Sequence, residues 1–285
     1  MPFMEVKDKF VFPLNNFGVQ IMYSSFCGNI NPKYKTEFLD VDENDFILKV
    51  ENIATYRVVN GINIYIQLHG NVDVYSVELF LCSSVLGAIL HQRGIMPFHG
   101  SSFIFKNQGV LICGNSGAGK SSIVAAFCQD EGLLVNDDIT PVCFDKEHIM
   151  MIPLSTKVKL WDDAISLFQL SENNLKKIRP YSNKYYVSGF TRQEEKQPLL
   201  HTFIVLRTHN QNNFEIKRPK GIERFNCLRH NIYRKIYLKG MPQTEKKYFE
   251  QLLTAANLLD VVVVFRPQTS NALETMRYIR EHVLL

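Results

Sequence analysis

The sequence predicts an α/β chain in two parts: a small β-rich N-terminal module over residues 1–94 that ends in a connecting helix, and a larger domain over residues 95–285. Three observations carry this. Short β-branched and aromatic runs crowd residues 46–68; an apolar strand, a glycine-rich turn and a helix follow one another over residues 109–129; and the chain closes with a helix, a valine-rich strand and a second helix. Strands alternating with helices mark an α/β domain, whereas a run of strands alone marks a meander.

In the first part, Phe46–Val50, Thr55–Val59 and Ile62–Leu68 read as strands, and Asn60-Gly61 between the last two is a strong hairpin signal. From Ser76, placed to cap, to about Gln92 the pattern becomes helical. Val77, Phe80, Leu81, Val85, Ile89 and Leu90 form an apolar stripe, with Gly94 just past the end.

In the second part, Ser102–Phe105 and Gly109–Cys113 read as a hairpin around Lys106-Asn107-Gln108, and residues 120–129 as an amphipathic helix. Leu133–Asp137 is the next strand, with further short strands at Pro141–Phe144 and His201–Leu206. Asp162–Ser171 reads as a helix, and the polar, aromatic stretch from Asn173 to Arg192 as a loop. The end is a helix over Thr244–Leu259, a buried strand over Val261–Phe265 and a helix from Ser270, its cap, to His282.

The turn inside the second part is Gly114-Asn115-Ser116-Gly117-Ala118-Gly119-Lys120-Ser121, a complete GxxxxGK[ST] phosphate loop. Its glycines permit positive φ and close backbone approach, so successive N–H groups converge on an anion at the start of a helix, where the dipole favours it. The residues Gly114, Asn115, Ser116, Gly117, Ala118, Gly119, Lys120, Ser121 and Ser122 are therefore expected to hold a nucleoside triphosphate. Lys120 is placed for the β- and γ-phosphates, and the Ser121 hydroxyl for Mg²⁺.

Asn136-Asp137-Asp138 ends the strand after the loop helix. The 17 residues from Lys120 to Asp137 (137−120) leave room for one helix and one strand, so both carboxylates emerge beside the loop. One can bind Mg²⁺ while the other accepts a proton from an attacking hydroxyl; a turn or cap made by aspartate is the bland alternative. His99, 21 residues before Lys120 (120−99), can be carried next to the pair by the hairpin, although a lone histidine is more often structural. Downstream, Lys184 is either a cation over phosphates or an exposed lysine. Arg229, His230 and Arg234 form a basic stretch that either binds the acceptor or covers a solvated helix face, and Arg266 is read as a structural strand end.

Composition excludes several classes. A formal charge of +4 with no long basic run does not call for nucleic acid. The longest apolar run, Leu79–Leu90, is read as too short to span a bilayer, and the Met-Pro-Phe-Met-Glu start carries no secretion signal. Six scattered cysteines with no CxxC pair suggest neither a zinc site nor a disulfide framework, so a cytoplasmic location is expected.

Together, the run from Leu79 through Gly94-Ile95-Met96-Pro97-Phe98-His99-Gly100, the phosphate loop, and Leu134-Val135-Asn136-Asp137-Asp138 resemble the HPr kinase/phosphorylase-like proteins, closest to the short relatives that include lasso-peptide precursor kinases. The resemblance spans roughly Ala54 to Thr140. It implies a P-loop core of the HPr kinase and phosphoenolpyruvate-carboxykinase type, and ATP- and Mg²⁺-dependent transfer of the γ-phosphoryl group to a serine hydroxyl. In that frame Asp137 is the general base, Asp138 and Ser121 serve the metal, and His99 and Lys120 complete the catalytic set. The glutamate- and glycine-rich signature that follows the Asp pair in HPr kinases has no recognisable counterpart here, so HPr as acceptor is not implied. A lasso-type precursor peptide is the acceptor that the resemblance suggests. Two other readings stay open: a kinase for free serine or another small hydroxylated molecule, and a nucleotide-gated binding module without transfer. Long relatives assemble into rings, so a homo-oligomer is also an open expectation.

Overall fold

A computed structural model describes residues 14–25, 27–154, 157–171, 175–178, 182–190 and 197–284. The first five residues, read above for a secretion signal, lie outside the described residues. The described residues are mixed α/β and form three sheets. It divides into two units, one of Met1–Pro97 with Tyr233–Glu250 and one of Phe98–Ile232 with Gln251–Leu285. The two-part reading of the sequence assigns Tyr233–Glu250 to the second part; the contacts place it with the first.

In the first unit, β1 (Gln20–Tyr23), β2 (Tyr34–Lys35), β3 (Leu39–Val41), β4 (Asp45–Val50), β5 (Ala54–Val59) and β6 (Asn63–Leu68) form one sheet in the order β1-β6-β5-β4-β3-β2. β2 to β6 are an antiparallel meander, and β1 joins β6 in parallel. Asn60 and Gly61 both take positive φ in the expected β5–β6 turn. Ala54, Tyr56 and Val58 on β5 and Ile64 and Ile66 on β6 are fully buried, so alternation sets the buried face. The helix α1 (Val74–Gln92) follows, with a π-helical turn over Leu81–Val85. Asp73, not Ser76, is its cap: the Asp73 carboxylate accepts the Ser76 N–H at 2.8 Å.

By length and composition this helix could cross a membrane, which reading the apolar run alone as too short had missed. Leu81, Val85, Leu86, Ala88, Ile89, Leu90 and His91 are nevertheless buried within the unit. Tyr237, Leu238, Met241 and Tyr248 complete this core, with the Tyr237 ring 4.7 Å from Phe46.

The second unit carries β7 (Met96–Phe105), β8 (Gln108–Gly114), α2 (Lys120–Asp130), β9 (Leu133–Asn136), β10 (Ile139–Phe144), β11 (Ile149–Met151), β12 (Val158–Trp161), α3 (Asp162–Leu167), β13 (Leu175–Lys177), β14 (Lys184–Val187), β15 (Leu200–His209), β16 (Glu215–Lys217), α4 (Gly221–His230), α5 (Pro242–Leu258), β17 (Asp260–Pro267) and α6 (Ala272–His282), although α5 begins, and β7 starts, among first-unit residues. The main sheet runs β11-β10-β7-β8-β15-β17-β16, with β9 also paired to β7. β8, β15 and β17 are mutually parallel. The expected β7–β8 hairpin is present, but its turn is only Lys106-Asn107, both at positive φ, with Gln108 already in the strand.

α2 is not amphipathic in the expected way. Ile123, Val124, Ala125, Ala126 and Phe127 are all buried, because the helix packs against β8 and β9 as well as against β12 and α6. Phe127 stacks on Phe103 at 4.5 Å. The expected loop from Asn173 to Arg192 instead supplies β13 and β14, which pair with β12 in a separate three-stranded sheet; residues 173, 174, 179–181, 191 and 192 lie outside the described residues. α6 starts one residue later than expected, with Asn271 and Glu274 forming a capping box in place of Ser270.

Candidate active site

The phosphate-loop sequence spans the end of β8 and the start of α2, at the carboxyl ends of the parallel strands, where α/β sheets place their ligands. Gly114 (φ 147°), Gly117 (φ 81°) and Gly119 (φ 93°) all occupy backbone regions that other residues rarely adopt. One of them is also sterically required: a Cβ on Gly114 would stand 2.5 Å from the Leu206 carbonyl oxygen. Asn115, Ser116, Gly117 and Ala118 make the turn, whose Ala118 N–H donates to Asn115 O at 3.2 Å. Lys120, Ser121 and Ser122 open the helix. Lys120 is almost fully buried and donates to the loop's own carbonyls, Gly114 at 2.9 Å and Asn115 at 3.1 Å. A cation curled over its own loop is a donor set for phosphate oxygens, so the residues fit a triphosphate.

β9 ends at Asn136, whose side chain donates to Ile152 O and accepts the Leu154 N–H, fixing the strand end. Asp137 follows, 8% exposed. Its Oδ1 accepts the hydroxyls of Ser121 and Ser101, each at 2.7 Å, and its Oδ2 accepts the Lys159 N–H at 2.8 Å. Ser121 is thus joined to Asp137 and not to Asp138, the partner expected to share its metal.

Asp138 takes positive φ (72°), a conformation that aspartate tolerates better than most residues. Its carboxylate pairs with Lys159 Nζ at 2.9 Å. Burial alone would raise the Asp138 carboxyl, but Lys159, helped by His99 and Lys184, brings it down to about 2. Lys159 is pushed upward: burial opposes its charge, and Asp138 more than offsets that.

His99 lies on β7, with Nδ1 3.1 Å from the Asp138 carbonyl oxygen and 3.7 Å from its carboxylate. Burial and the Lys120 charge lower its pKa below the ordinary histidine value, which favours a neutral ring. Burial likewise lowers Lys120, Lys184 adding to the effect.

The structure therefore brings His99, the loop, Lys120, Ser121, Asp137 and Asp138 together. Among the described residues no group of three His, Cys, Asp or Glu side chains is placed to hold a metal ion. A magnesium ion here would draw on the Ser121 hydroxyl, an adjacent carboxylate and phosphate oxygens.

Two residues at the site were missed in the sequence. Ser101 left no signal beyond its nearness to His99. Lys159 did leave one: in Val158-Lys159-Leu160-Trp161 the alternation marks a half-buried strand with the lysine away from the core. Arg266, set aside as a structural strand end, donates to Ala118 O at 3.3 Å and to Ser270 O, bracing the loop from β17. Of the weaker candidates, Lys184 lies 5.5 Å above the Trp161 ring. Arg234, in the first unit, donates to Ser84 and lies over Tyr233. Arg229 and His230 end α4, both exposed. A cavity of about 440 Å³, lined by Gln108, His148, Leu200, His201, Thr202 and Asp260 among others, lies at the opposite, amino ends of β8, β15 and β17.

No protein-family profile matches the chain, and no curated protein matches it. Among solved structures it is similar to the Hpr(Ser) kinase/phosphatase from Coxiella burnetii, at 15% identity and a TM-score of 0.33, over 66% of this chain and 96% of that one. So loose an overlap carries no functional weight, and the reading below rests on side chains.

Proposed function

We propose that this chain is a P-loop kinase that transfers the γ-phosphoryl group of ATP to a serine-type hydroxyl. The observation that carries the reading is Asp137, whose single oxygen Oδ1 receives both the hydroxyl of phosphate-loop Ser121 and that of β7 Ser101. With two hydroxyls on Oδ1 and one amide on Oδ2, this carboxylate at the mouth of a phosphate loop keeps one acceptor site, on Oδ2, for the proton of an attacking hydroxyl. When bound, Mg²⁺-ATP supplies the phosphoryl group and the charge that neutralises its oxygens.

The chain's own residues divide the remaining work. The loop amides and Lys120 offer donors to phosphate oxygens as charge develops on them. The Ser121 hydroxyl, with its hydrogen committed to Asp137, turns a lone pair outward for a metal. Asp137 takes the acceptor proton: its partners are two hydroxyls and an amide, whereas the Asp138 carboxylate is tied to the Lys159 charge. Asp138 keeps its negative charge for the metal or phosphate region, and neutral His99 steadies the Asp138 turn. Arg266 holds the loop from behind.

The sequence resemblance suggests a ribosomal precursor peptide of the lasso type as acceptor, in a cytoplasmic setting. Purified protein incubated with γ-labelled ATP and Mg²⁺, with a serine-containing precursor peptide, with free serine, or with no acceptor, tests this. Label in the peptide supports the full reading, and label in serine supports a small-molecule kinase. Neither transfer nor hydrolysis, with ATP still bound, leaves a nucleotide-gated binding module and refutes the kinase.

A further inference from the structure

The three-stranded sheet of β12, β14 and β13 has two unlike faces. On one, Val158, Leu160 and Val187 are fully buried in the core around α2. The register pairs Lys159 with Tyr186 and Trp161 with Lys184, so these four side chains share the other face. Lys176, opposite Tyr186 on β13, lies on that face too.

One end of the polar face meets the Asp pair, through Lys159 Nζ on Asp138 at 2.9 Å. At the other end Lys184 lies over Trp161, which is 53% exposed. Lys184 pairs with no carboxylate among the described residues, yet it is close enough to help lower both Asp138 and Lys120. The acid next to Trp161 in sequence, Asp162, is engaged with Tyr185, whose place in the register is on the opposite face.

Asp137 receives the loop hydroxyl of Ser121 on one oxygen and the β12 amide of Lys159 on the other. The Asp pair thus stands between the phosphate loop and this face. An in-line transfer needs its attacking hydroxyl across the γ-phosphate from the leaving ADP oxygen and within reach of the base, so the acceptor must lie beside the Asp pair.

We propose that the Lys159, Trp161 and Lys184 face is the acceptor subsite, and that it takes an acceptor whose hydroxyl is flanked by a carboxylate. The proposal rests on the kinase reading and names its substrate class. Lys184 supplies the cation for the carboxylate, Trp161 an exposed aromatic plane, and Lys159 the charge at the inner end. The carboxylate comes either from acidic residues beside a serine in a peptide or from a free hydroxy acid.

Trp161 is the chain's only tryptophan, so its emission reports on this face alone. With Mg²⁺ and a non-hydrolysable ATP analogue present, the protein is titrated with a serine peptide flanked by Asp and Glu, with its Asn and Gln counterpart, with L-serine and with L-serinamide. Anisotropy of dye-labelled peptides gives a second readout that the Lys184 substitution does not itself disturb. The acidic peptide should bind about tenfold or more tighter than its neutral counterpart, or L-serine tighter than L-serinamide, with Trp161 emission changing on saturation. Lys184→Gln should remove that preference. Preference only in the peptide pair names a peptide acceptor, and only in the serine pair a small molecule. Equal binding within both pairs, no binding, or a preference that survives Lys184→Gln overturns the proposal. Binding is read apart from chemistry, so absence of label transfer with the preference intact fails the kinase reading alone.

Discussion

Asp138 pairs with a lysine that no motif announces. Its carboxyl would be raised by burial, yet the Lys159 charge at 2.9 Å holds it near 2, below the ordinary carboxylate value. A group whose folded pKa lies below its unfolded one stabilises fully above the unfolded value, about 4, and loses that contribution as pH falls through about 2. In the metal-free protein Asp138→Asn should lower the urea-unfolding free energy at pH 7 by about 1–2 kcal/mol, a figure discounted because water screens a side chain one-third exposed. The deficit relative to wild type should shrink steadily from pH 4 towards pH 2. A deficit constant over that range would show that the ion pair does not set the stability of this turn.

At the scale of elements, α1 carries His91, fully buried with Nε2 2.9 Å from the Tyr233 carbonyl oxygen and its ring among Tyr237 and Tyr248. Burial pushes its pKa down to about 4, so the unfolded chain takes up a proton first and stability falls as pH drops from 6.5 towards 4. His91→Gln, which keeps a donor for Tyr233, should flatten this part of the pH profile of urea midpoints. An unchanged slope would place the titration elsewhere.

Much of this level was legible in the sequence, because β5, β6, β15 and β17 alternate or run apolar and the phosphate loop has fixed spacing. The misses have physical reasons. Tyr34–Lys35 and Leu175–Lys177 are too short for any period to show, and tertiary pairing makes them strands. Asp73 and Asn271 outcompete the nearby serines as caps through their own side-chain bonds to the helix amides. At the site, Gly114 to Ser122, Asp137, Asp138 and His99 were legible because loop and Asp pair are close in sequence. Lys159 arrives 21 residues after Asp138, through tertiary packing of a separate sheet that local pattern does not encode.

For the whole molecule, the first unit is discontinuous in the chain, which bears on any attempt to divide it. Tyr237, Leu238, Met241 and Tyr248 fill a core otherwise built from residues before Pro97, and Glu43 accepts the Thr244 N–H and hydroxyl at 2.8 and 2.7 Å. A fragment of residues 1–94 lacks Tyr237, Leu238, Met241, Thr244 and Tyr248, and each buried aromatic lost from a core costs about 3–5 kcal/mol, comparable to the stability of a small domain. Expressed alone it should show no cooperative urea transition by circular dichroism. A fragment that unfolds cooperatively like the intact first unit would contradict this account of its core.

The central claim, that Asp137 is the base of a kinase, is tested most directly by Asp137→Asn. Asparagine keeps an acceptor oxygen for Ser121 and Ser101 but cannot take a proton at neutral pH. With whichever acceptor supports transfer in the labelled-ATP assay, ATP binding should stay within about twofold of wild type while single-turnover transfer falls by about 100-fold or more, at every Mg²⁺ concentration. Transfer near the wild-type rate, or recovered by raising Mg²⁺, would contradict the claim and make Asp137 a metal-side residue instead.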